Sequence, residues 1–519
     1  MAASLLARGS RKQKGWRQLL TPDLPGRASA AGLPIDAVDC PERLLNKGVA
    51  LQDWQQVQSA LKQYWGYEAL RPPQDQVIRA LLEKRDALVV LPTGFGKSLC
   101  FQLPALLQTG LTLVVSPLIA LMEDQVQDLW RRRLPAACLH SELDPALRKR
   151  VLRALEENRL RLLYLGPETL FSPPVWKRLQ QVSLNGLIVD EAHTLVHWGG
   201  SFRPDYPRLG LVRPALGQPA FPIAAFTATA DPETLSRLRH ILKLRDPECI
   251  RADPLRANIS LNVEVAWSPA DRRRRLLRFL VENPGSGLVY VRTRRDGEEL
   301  AEWLGRHHQK TAAYHGGLEA GSRRRLERAW LEGELRFLVC TNAFGMGVNK
   351  PDVRWVLHFH PPPNLMDYLQ EVGRGGRDGG PCRALMLVSE PTGLLDPTDR
   401  QRQAYFYSQQ ERLLAQARRL LTTLPPQGSY ADLPPGETRV ALGLLQEMGC
   451  LHWPDPFHFQ VLHRHWQPPP RQDPWRGMDD LIHSRSCRWQ VILRHFGYPE
   501  NQPGLPCGTC DRCRAAQRR

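Results

Sequence analysis

Two short motifs, each placed directly after an apolar run, constrain the fold of this 519-residue chain more than any other feature. The first, Leu91-Pro-Thr-Gly-Phe-Gly-Lys-Ser98, follows residues 87–91, and the second, Asp190-Glu-Ala-His193, follows residues 187–190. Glycines let backbone N–H groups close around phosphate oxygens at a helix start, whose positive end favours anions. Paired carboxylates at a strand end suit Mg²⁺ and an attacking water. Together the motifs predict a nucleoside triphosphate site at the strand ends of a parallel sheet.

Each residue type in the two motifs has a definite chemical task. Lys97 is expected to reach the β- and γ-phosphates, and the Ser98 hydroxyl is expected to bind Mg²⁺ together with Asp190. Glu191 is expected to orient or deprotonate the attacking water. The other expected nucleotide contacts in the loop are Thr93, Gly94 and Gly96. The loop departs from the strict G-x-x-x-x-G-K-S pattern because it begins with Leu91.

Apolar runs alternate with helical patterns from residue 87 to residue 243, and the alternation restarts after Pro254. Such alternation is typical of a parallel sheet covered by helices on both faces. The prediction is an α/β protein with two tandem parallel-sheet lobes and a small mixed C-terminal region. The predicted strands are residues 87–91, 111–116, 162–165, 187–190, 223–226, 287–291, 311–314, 337–340, 353–358 and 383–387, and helices are predicted at 118–132 and 145–156.

The predicted domain boundaries divide the chain into five segments. They are a basic N-terminal extension (1–50), a first lobe (51–255), a second lobe (256–395), a linker (396–480) and a cysteine-rich tail (481–519). The linker has helical patterns at 401–421 and 438–448, and β-like runs at 450–453 and 457–462. A helix followed by a hairpin is the outline of a winged-helix module, and an irregular linker is the alternative.

The charge of the chain points to a polyanionic partner. A net charge of +17 with a pI of about 9.6 favours nucleic acid and implies salt-dependent binding, although arginine-biased codon usage also raises the pI. The basic N-terminal extension is predicted to be a poorly ordered arm that touches nucleic acid, with a transit peptide as the alternative. No apolar stretch approaches the ~20 residues that span a bilayer, so no membrane partner is expected. The expected location is the cytoplasm or nucleoid of a bacterium, or the nucleus or an organelle of a eukaryote.

Four cysteines near the C-terminus have the spacing of a metal site. The expected zinc ligands are Cys487, Cys507, Cys510 and Cys513. Four thiolates suit tetrahedral Zn²⁺ in a closed, structural site. A redox pair is one alternative, without a supporting βαβ pattern. The other alternative is a zinc site in which His483 or His495 replaces one of the four cysteine ligands.

Further strings resemble superfamily 2 helicases, and within them the RecQ family of DNA helicases, over about residues 60–390. Trp65-Gly-Tyr67 with Leu70-Arg-Pro-Pro-Gln74 is similar to that family's nucleotide-recognition motif. The resemblance implies that Gln74 reads the adenine edge and that Tyr67 and Arg71 shape its pocket. An exposed helical glutamine is the alternative for Gln74. In the phosphate loop, Phe95 stands where relatives usually have a small residue.

The string at residues 196–206 resembles the aromatic-rich loop by which RecQ helicases couple DNA contact to ATP hydrolysis. Trp198 and Phe202 offer faces on which unpaired bases stack, at about 1–3 kcal/mol per base, and Arg203 offers a phosphate contact. Ser116, in a matching string at 115–125, and Thr341, beside the family's fifth motif, are the other expected contacts with the DNA backbone.

Residues 370–379 resemble the family's sixth motif. The resemblance implies that Arg374 and Arg377 project into the cleft between the lobes and neutralise charge on the γ-phosphoryl group, an effect worth about 10³–10⁵ in rate. Gly375 replaces the usual alanine, a change that we expect to be tolerated. His360 stands where relatives commonly carry an acidic residue.

The resemblance implies two RecA-like lobes followed by a helical zinc-binding subdomain, with ATP, Mg²⁺ and Zn²⁺ as cofactors. The implied function is that of an ATP-dependent 3′→5′ DNA helicase that acts on single-stranded and forked DNA in repair or recombination. The winged-helix domain that longer relatives place after the zinc site, with its strand-splitting hairpin, is expected to be missing. A DNA-stimulated ATPase or remodelling factor with little unwinding activity is therefore the alternative. An inactive scaffold and an RNA helicase are disfavoured, and protein partners are not predicted.

Overall fold

The computed structural model describes residues 54–196, 205–217, 221–344, 348, 350–467, 473 and 475–518. The predictions for the N-terminal extension and for Trp198, Phe202 and Arg203 therefore lie outside the described residues. None of the described helices is long and apolar enough to cross a membrane.

Lobe 1 is built on a parallel sheet of seven strands in the order β3-β4-β2-β5-β6-β1-β7. The strands are β1 (Ala87–Val90), β2 (Leu111–Val115), β3 (Ala136–Leu139), β4 (Leu162–Leu165), β5 (Leu184–Val189), β6 (Ile223–Thr227) and β7 (Glu248–Arg251). Strands β1 to β6 are buried along their whole length, as expected of a sheet with helices on both faces. All five strands predicted for this lobe are present, whereas β3 and β7 were not predicted.

The helices of lobe 1 cover both faces of this sheet. They are α1 (Trp54–Ala60, continued by a π-helix at Leu61–Trp65), α2 (Gln74–Leu82), α3 (Lys97–Leu107), α4 (Ile119–Arg131), α5 (Pro145–Glu156), α6 (Pro167–Leu170), α7 (Pro173–Leu179), α8 (Val212–Leu216) and α9 (Pro232–Ile241), with 3₁₀ turns at Ala192–Leu195 and Tyr206–Leu211. The phosphate loop follows β1, the acidic motif follows β5, and β6 lies between these two strands. The sheet order therefore brings both motifs to one edge.

Lobe 2 repeats this plan with a parallel sheet of six strands in the order β10-β11-β9-β12-β13-β8. The strands are β8 (Ile259–Ala266), β9 (Ser286–Tyr290), β10 (Thr311–Tyr314), β11 (Phe337–Cys340), β12 (Val353–His358) and β13 (Cys382–Ser389), and the helices are α10 (Pro269–Glu282), α11 (Arg294–Arg306), α12 (Ala320–Leu331) and α13 (Leu365–Val372). The predicted bounds of β10, β11 and β12 are confirmed residue for residue. The first strand, β8, was not predicted.

After lobe 2, the long helix α14 (Thr398–Thr423) leads into a helix–sheet subdomain, residues 424–466. Its elements are β14 (Gln427–Ser429), a 3₁₀ turn (Tyr430–Asp432), α15 (Glu437–Glu447), β15 (Leu451–His452) and β16 (His458–Val461). The sheet is antiparallel, in the order β14-β16-β15, and its core includes Leu211 of lobe 1. The predicted helix and hairpin are present, while the winged-helix assignment stays a prediction.

The chain then returns to lobe 2 with three short helices. They are α16 (Arg476–His483), α17 (Arg488–His495) and α18 (Asp511–Gln517). Trp475, Met478, Trp489 and Phe496 pack into the same apolar core as Ile259 at the start of β8. The cysteine-rich tail therefore forms one core with lobe 2.

Candidate active site

The phosphate loop is shaped by two glycines at its turn. Gly94 and Gly96 have φ of 89° and 74°, in the left-handed region that glycine adopts most readily, and α3 begins at Lys97. A Cβ on Gly96 would lie 2.8 Å from Gln74 Nε2, so glycine is also needed for close packing. The Phe95 side chain packs against the core of lobe 1, which accounts for a bulky residue in this loop.

Gln74 is buried and braces the phosphate loop. Its Nε2 donates to the Phe95 carbonyl at 2.7 Å, and its Oε1 accepts from the Arg71 backbone N–H at 2.8 Å. The exposed alternative is therefore wrong. One Nε2 proton and one Oε1 lone pair remain for a base edge. Tyr67 and Arg71 are exposed beside it, and their nucleotide contacts stay predictions.

The acidic motif faces the phosphate loop across the sheet edge. Lys97 Nζ lies 3.3 Å from Glu191 Oε1, and both side chains are largely buried. Glu191 has φ 49° and ψ 45°, a left-handed conformation that is uncommon for a residue with a side chain and recurs at functional sites. Asp190 Oδ1 accepts from the Glu191 backbone N–H at 3.0 Å. The structure thus brings together Lys97, Asp190 and Glu191, the three catalytic residues predicted in lobe 1.

The two carboxylates differ in their electrostatic surroundings. Burial, together with the neighbouring Glu191 carboxylate, raises the pKa of Asp190 above its ordinary value, although Lys97 opposes the shift. Burial also disfavours ionised Glu191, but Lys97, His193 and Arg374 outweigh it and lower the pKa of Glu191 below its ordinary value. An additional cation at Asp190 would relieve the cost of burying its charge. The oxygen donors present therefore fit Mg²⁺.

Ser98 has a partner that sequence reasoning missed. Gln125 Nε2 on α4 donates to Ser98 Oγ at 2.9 Å, and Gln102 Nε2 is placed 3.4 Å from Gln125 Oε1. This bond uses one lone pair of the Ser98 hydroxyl and leaves the other for a cation. Gln125 is the last residue of the family-like string at 115–125, in which only Ser116 was singled out. Its place in that string is the sequence feature that could have identified it.

The two lobes meet at His193. Its Nδ1 lies 3.1 Å from Thr227 Oγ1, at the end of β6, and its Nε2 lies 3.3 Å from Gln370 Nε2 on α13 of lobe 2. Burial lowers the pKa of His193, although the neighbouring Glu191 carboxylate opposes the shift, and a ring nitrogen without a proton would accept a hydrogen bond from Gln370. This contact aligns the acidic motif with the helix that precedes the arginine pair.

Arg374 and Arg377 are both directed inward from the loop after α13. Arg374 is close enough to Glu191 of lobe 1 to lower the pKa of that carboxyl. Arg377 Nη1 donates to the Val348 carbonyl at 3.1 Å, and burial, with Arg374 alongside, lowers the pKa of Arg377 to about 10. A Cβ at Gly375 would lie 2.2 Å from Cys382 Sγ, so the glycine makes room for that thiol.

The predicted DNA contacts Ser116 and Thr341 follow strands β2 and β11, and both are buried. The Ser116 hydroxyl has no hydrogen-bond partner among the described residues, whereas Thr341 Oγ1 accepts weakly from the Ala343 backbone N–H at 3.4 Å. Their contacts with DNA remain predictions.

The four cysteines converge as predicted. Their sulfur atoms all lie within 4.8 Å of one another, and a zinc tetrahedron with Zn–S bonds of about 2.3 Å needs sulfur separations of roughly 3.8 Å. Backbone N–H groups of Cys507, Cys510 and Cys513 each donate to a cysteine sulfur at 3.4 Å, which favours thiolates. His495 instead faces Asp231 of lobe 1 at 3.9 Å. The donor set therefore fits Zn²⁺ held by four thiolates.

The sequence matches the DEAD/DEAH box helicase family over residues 71–238 and the helicase conserved C-terminal domain family over residues 271–379. It is 51% identical to the ATP-dependent DNA helicase RecQ of Synechocystis sp., over 89% of this chain and 99% of that protein. It is 42% identical to the probable ATP-dependent DNA helicase RecS of Bacillus subtilis, over 64% of this chain and 66% of that protein. For the RecQ of Haemophilus influenzae the identity is 39%, over 63% of this chain and 52% of that protein. The chain thus spans nearly all of the Synechocystis protein, about two thirds of the Bacillus protein and about half of the Haemophilus protein.

Solved helicase structures share the fold. Mss116p bound to ssRNA and AMP-PNP matches with a TM-score of 0.55 at 18% identity, over 67% of this chain and 76% of that one. The helicase MrfA bound to DNA matches with a TM-score of 0.54 at 19% identity, over 80% of this chain and 64% of that one. At such identities, these likenesses support the paired RecA-like lobes alone.

Proposed function

Because the chain belongs to the RecQ family of superfamily 2 helicases, it is an ATP-dependent DNA helicase of RecQ type, and we propose that it hydrolyses ATP between its two lobes to move 3′→5′ along single-stranded DNA. The observation that carries this proposal is the contact from Gln370 of lobe 2 to His193 of the acidic motif, beside the ion pair of Lys97 and Glu191. Residues from both lobes thereby share one cleft, as an ATP-driven change in lobe spacing requires.

Each side of the cleft has its own chemical task in the proposal. Lys97 binds the β- and γ-phosphates, and Glu191, ionised at neutral pH, accepts a proton from the attacking water or orients it. Ser98 and Asp190 would hold Mg²⁺, which would neutralise phosphate charge when bound. Arg374 and Arg377 approach the γ-phosphoryl group from lobe 2 and stabilise the charge that develops during transfer. Release of the phosphate formed by hydrolysis removes its charge from the cleft and loosens the contact between the lobes.

For DNA, we propose that the strand runs across both lobes near the ends of β2 and β11, where Ser116 and Thr341 lie, and that Trp198, Phe202 and Arg203 contact it. The positive net charge supports a long contact with phosphates. The proposed substrates are single-stranded and forked DNA in repair or recombination, which in a bacterium places the protein at the nucleoid. The four-cysteine site is proposed to hold Zn²⁺ as a structural ion.

The test compares ATP hydrolysis and strand displacement by wild type, Lys97→Ala and a control, Lys149→Ala, which removes an exposed lysine on α5. Lys97→Ala should abolish hydrolysis and displacement yet still bind DNA, while Lys149→Ala should match wild type. Duplexes with a 3′ tail should be separated and those with a 5′ tail should not. Hydrolysis retained by Lys97→Ala would refute the site, and DNA-stimulated hydrolysis without displacement would indicate a remodelling ATPase.

A further inference from the structure

The loop that carries the arginine pair is held by a segment far from it in sequence. Arg256, in the approach to β8, donates from Nη2 to the Gly376 carbonyl at 2.7 Å and lies 3.4 Å from the Gly375 carbonyl. Asn258, two residues later, donates from Nδ2 to the carbonyls of Gly376 and Gly380, both at 2.8 Å. The two side chains therefore form hydrogen bonds with the loop both before and after Arg377.

The loop is shaped to receive the Asn258 amide. Gly376 has φ of 54°, and a Cβ there would lie 2.4 Å from Asn258 Nδ2 and 2.6 Å from the Gly380 carbonyl. The Asn258 backbone carbonyl also accepts from the Cys382 N–H at 2.9 Å, which fixes the start of β13. Both protons of Nδ2 are used, so the carboxamide is held in one orientation.

Two of the held carbonyls, those of Gly375 and Gly376, lie between the two arginines in sequence. Arg374 precedes Gly375, and Arg377 follows Gly376, so a shift of these peptide groups moves both guanidinium groups. Arg256 also lines a small cavity of about 20 Å³ with Thr93 of the phosphate loop and Gln370 and Gly373 of lobe 2. The segment therefore touches the cleft itself as well as the arginine loop.

We propose that Asn258 and Arg256 are positioning residues for the arginine pair, setting the guanidinium groups for the transition state of ATP cleavage. The inference rests on the proposed function, in which Arg374 and Arg377 act on the γ-phosphoryl group. A positioned arginine stabilises charge that develops only in the transition state. Disturbing its support should therefore slow turnover while leaving ground-state nucleotide binding intact.

The decisive variant is Asn258→Asp, which keeps size and shape but replaces both donor protons by an acceptor facing two carbonyls. Turnover at saturating ATP and single-stranded DNA should fall by roughly 10–100-fold, as for other small misplacements of reacting groups. Affinity for ADP with aluminium fluoride, a mimic of the transition state, should fall in parallel. Affinity for ADP alone and for a non-hydrolysable ATP analogue should stay within about threefold.

Two comparisons make the result interpretable. Asn283→Ala is the control. It removes another Asn side chain, which donates to the backbone carbonyl of Phe279 at 2.8 Å, and it should change turnover less than about twofold. Arg374→Ala is the benchmark: if it leaves turnover unchanged, the proposed role of the arginine pair fails, whatever Asn258→Asp does.

If Arg374→Ala slows turnover but Asn258→Asp does not, the inference about Asn258 fails while the proposed function stands. Equal losses of ADP and transition-state-mimic binding would also overturn it, because they would indicate general damage to the cleft. Should Asn258→Asp not fold, Arg256→Lys carries the test by the same criteria, since it keeps the charge and removes the fork that reaches Gly376.

Discussion

Arg208 joins the helix–sheet subdomain to lobe 1, and its removal should detach that subdomain locally. The Arg208 guanidinium is buried, lies 4.3 Å from the centre of the Phe171 ring and 3.7 Å from that of Tyr430, and forms an ion pair with Asp205. Its Nη1 donates to the Pro456 carbonyl at 2.8 Å. Phe171 and Asp205 belong to lobe 1, whereas Tyr430 and Pro456 belong to the subdomain.

The size of the effect follows from these contacts. Arg208→Ala removes the guanidinium from the buried Asp205 carboxylate, and breaking a buried pair in this way typically costs about 3–5 kcal/mol. Lost contacts with the two aromatic rings contribute about 0.5–2 kcal/mol, not fully additive with the first figure. The Asp205 pair lies within lobe 1, so the loss that falls on docking comes from the charged hydrogen bond to Pro456 and the contact with the Tyr430 ring, about 3 kcal/mol together.

Hydrogen exchange measured by mass spectrometry tests this expectation region by region. A loss of about 3 kcal/mol in docking should speed exchange in β14, β16 and α15 by up to about 10²-fold, while β1 and β5 of lobe 1 stay protected. Arg237→Ala is the control, because Arg237 and Glu447 form a more exposed ion pair across the same interface, worth under about 1 kcal/mol. Unchanged exchange in the subdomain, or equal acceleration in β1 and β5, would show that Arg208 does not hold this interface.

Three further predictions concern the site and its support. Gln125→Leu removes the donor to Ser98 and should raise the half-saturating Mg²⁺ concentration for hydrolysis by up to about tenfold, with weaker Mn²⁺ binding by electron paramagnetic resonance; unchanged metal dependence would contradict it. Burial alone would raise the pKa of Glu371, but Arg292 and His358 bring it down to about 2, so its stabilisation is complete above the unfolded value of 4.5 and lost as the pH falls towards 2. Arg292→Ala should flatten urea stability against pH across that window, and an unchanged slope would exclude the pair as its source. Cys510→Ser should lower bound zinc, measured by plasma mass spectrometry, and the melting temperature together, whereas full zinc content would rule out a four-thiolate site.

Local sequence patterns were sufficient to predict a strand where the strand is a buried apolar run between turns. Strand β11 is of this kind, and the bounds predicted for it are those of the structure. The two strands of lobe 1 that were missed, β3 and β7, are the edge strands of its sheet, and β7 is half exposed. The burial of a strand depends on its neighbours in the sheet, and these neighbours are distant in sequence. A short stretch of sequence therefore does not show whether a strand is central or at an edge.

The motif residues of the cleft were found because their chemistry fixes residue type and spacing within a few positions. Gln125 and Asn258 were missed for the opposite reason: an amide that supports a loop has no such spacing. Asn258 lies 118 residues from Gly376, and Gln125 lies 27 from Ser98. Such contacts depend on how the sheets bring strand ends together, which only the folded chain shows.

The union of the cysteine-rich tail with lobe 2 has a consequence for how the protein is made. The Trp489 indole N–H donates to the Ile259 carbonyl at 3.2 Å, across 230 residues of sequence. At a synthesis rate of about 5–20 residues per second, the ribosome reaches Trp489 roughly 10–50 seconds after Ile259 has been added. Until then the apolar side of β8, and that of α13 once it has been synthesised, stays uncovered on the nascent polypeptide and is prone to aggregation.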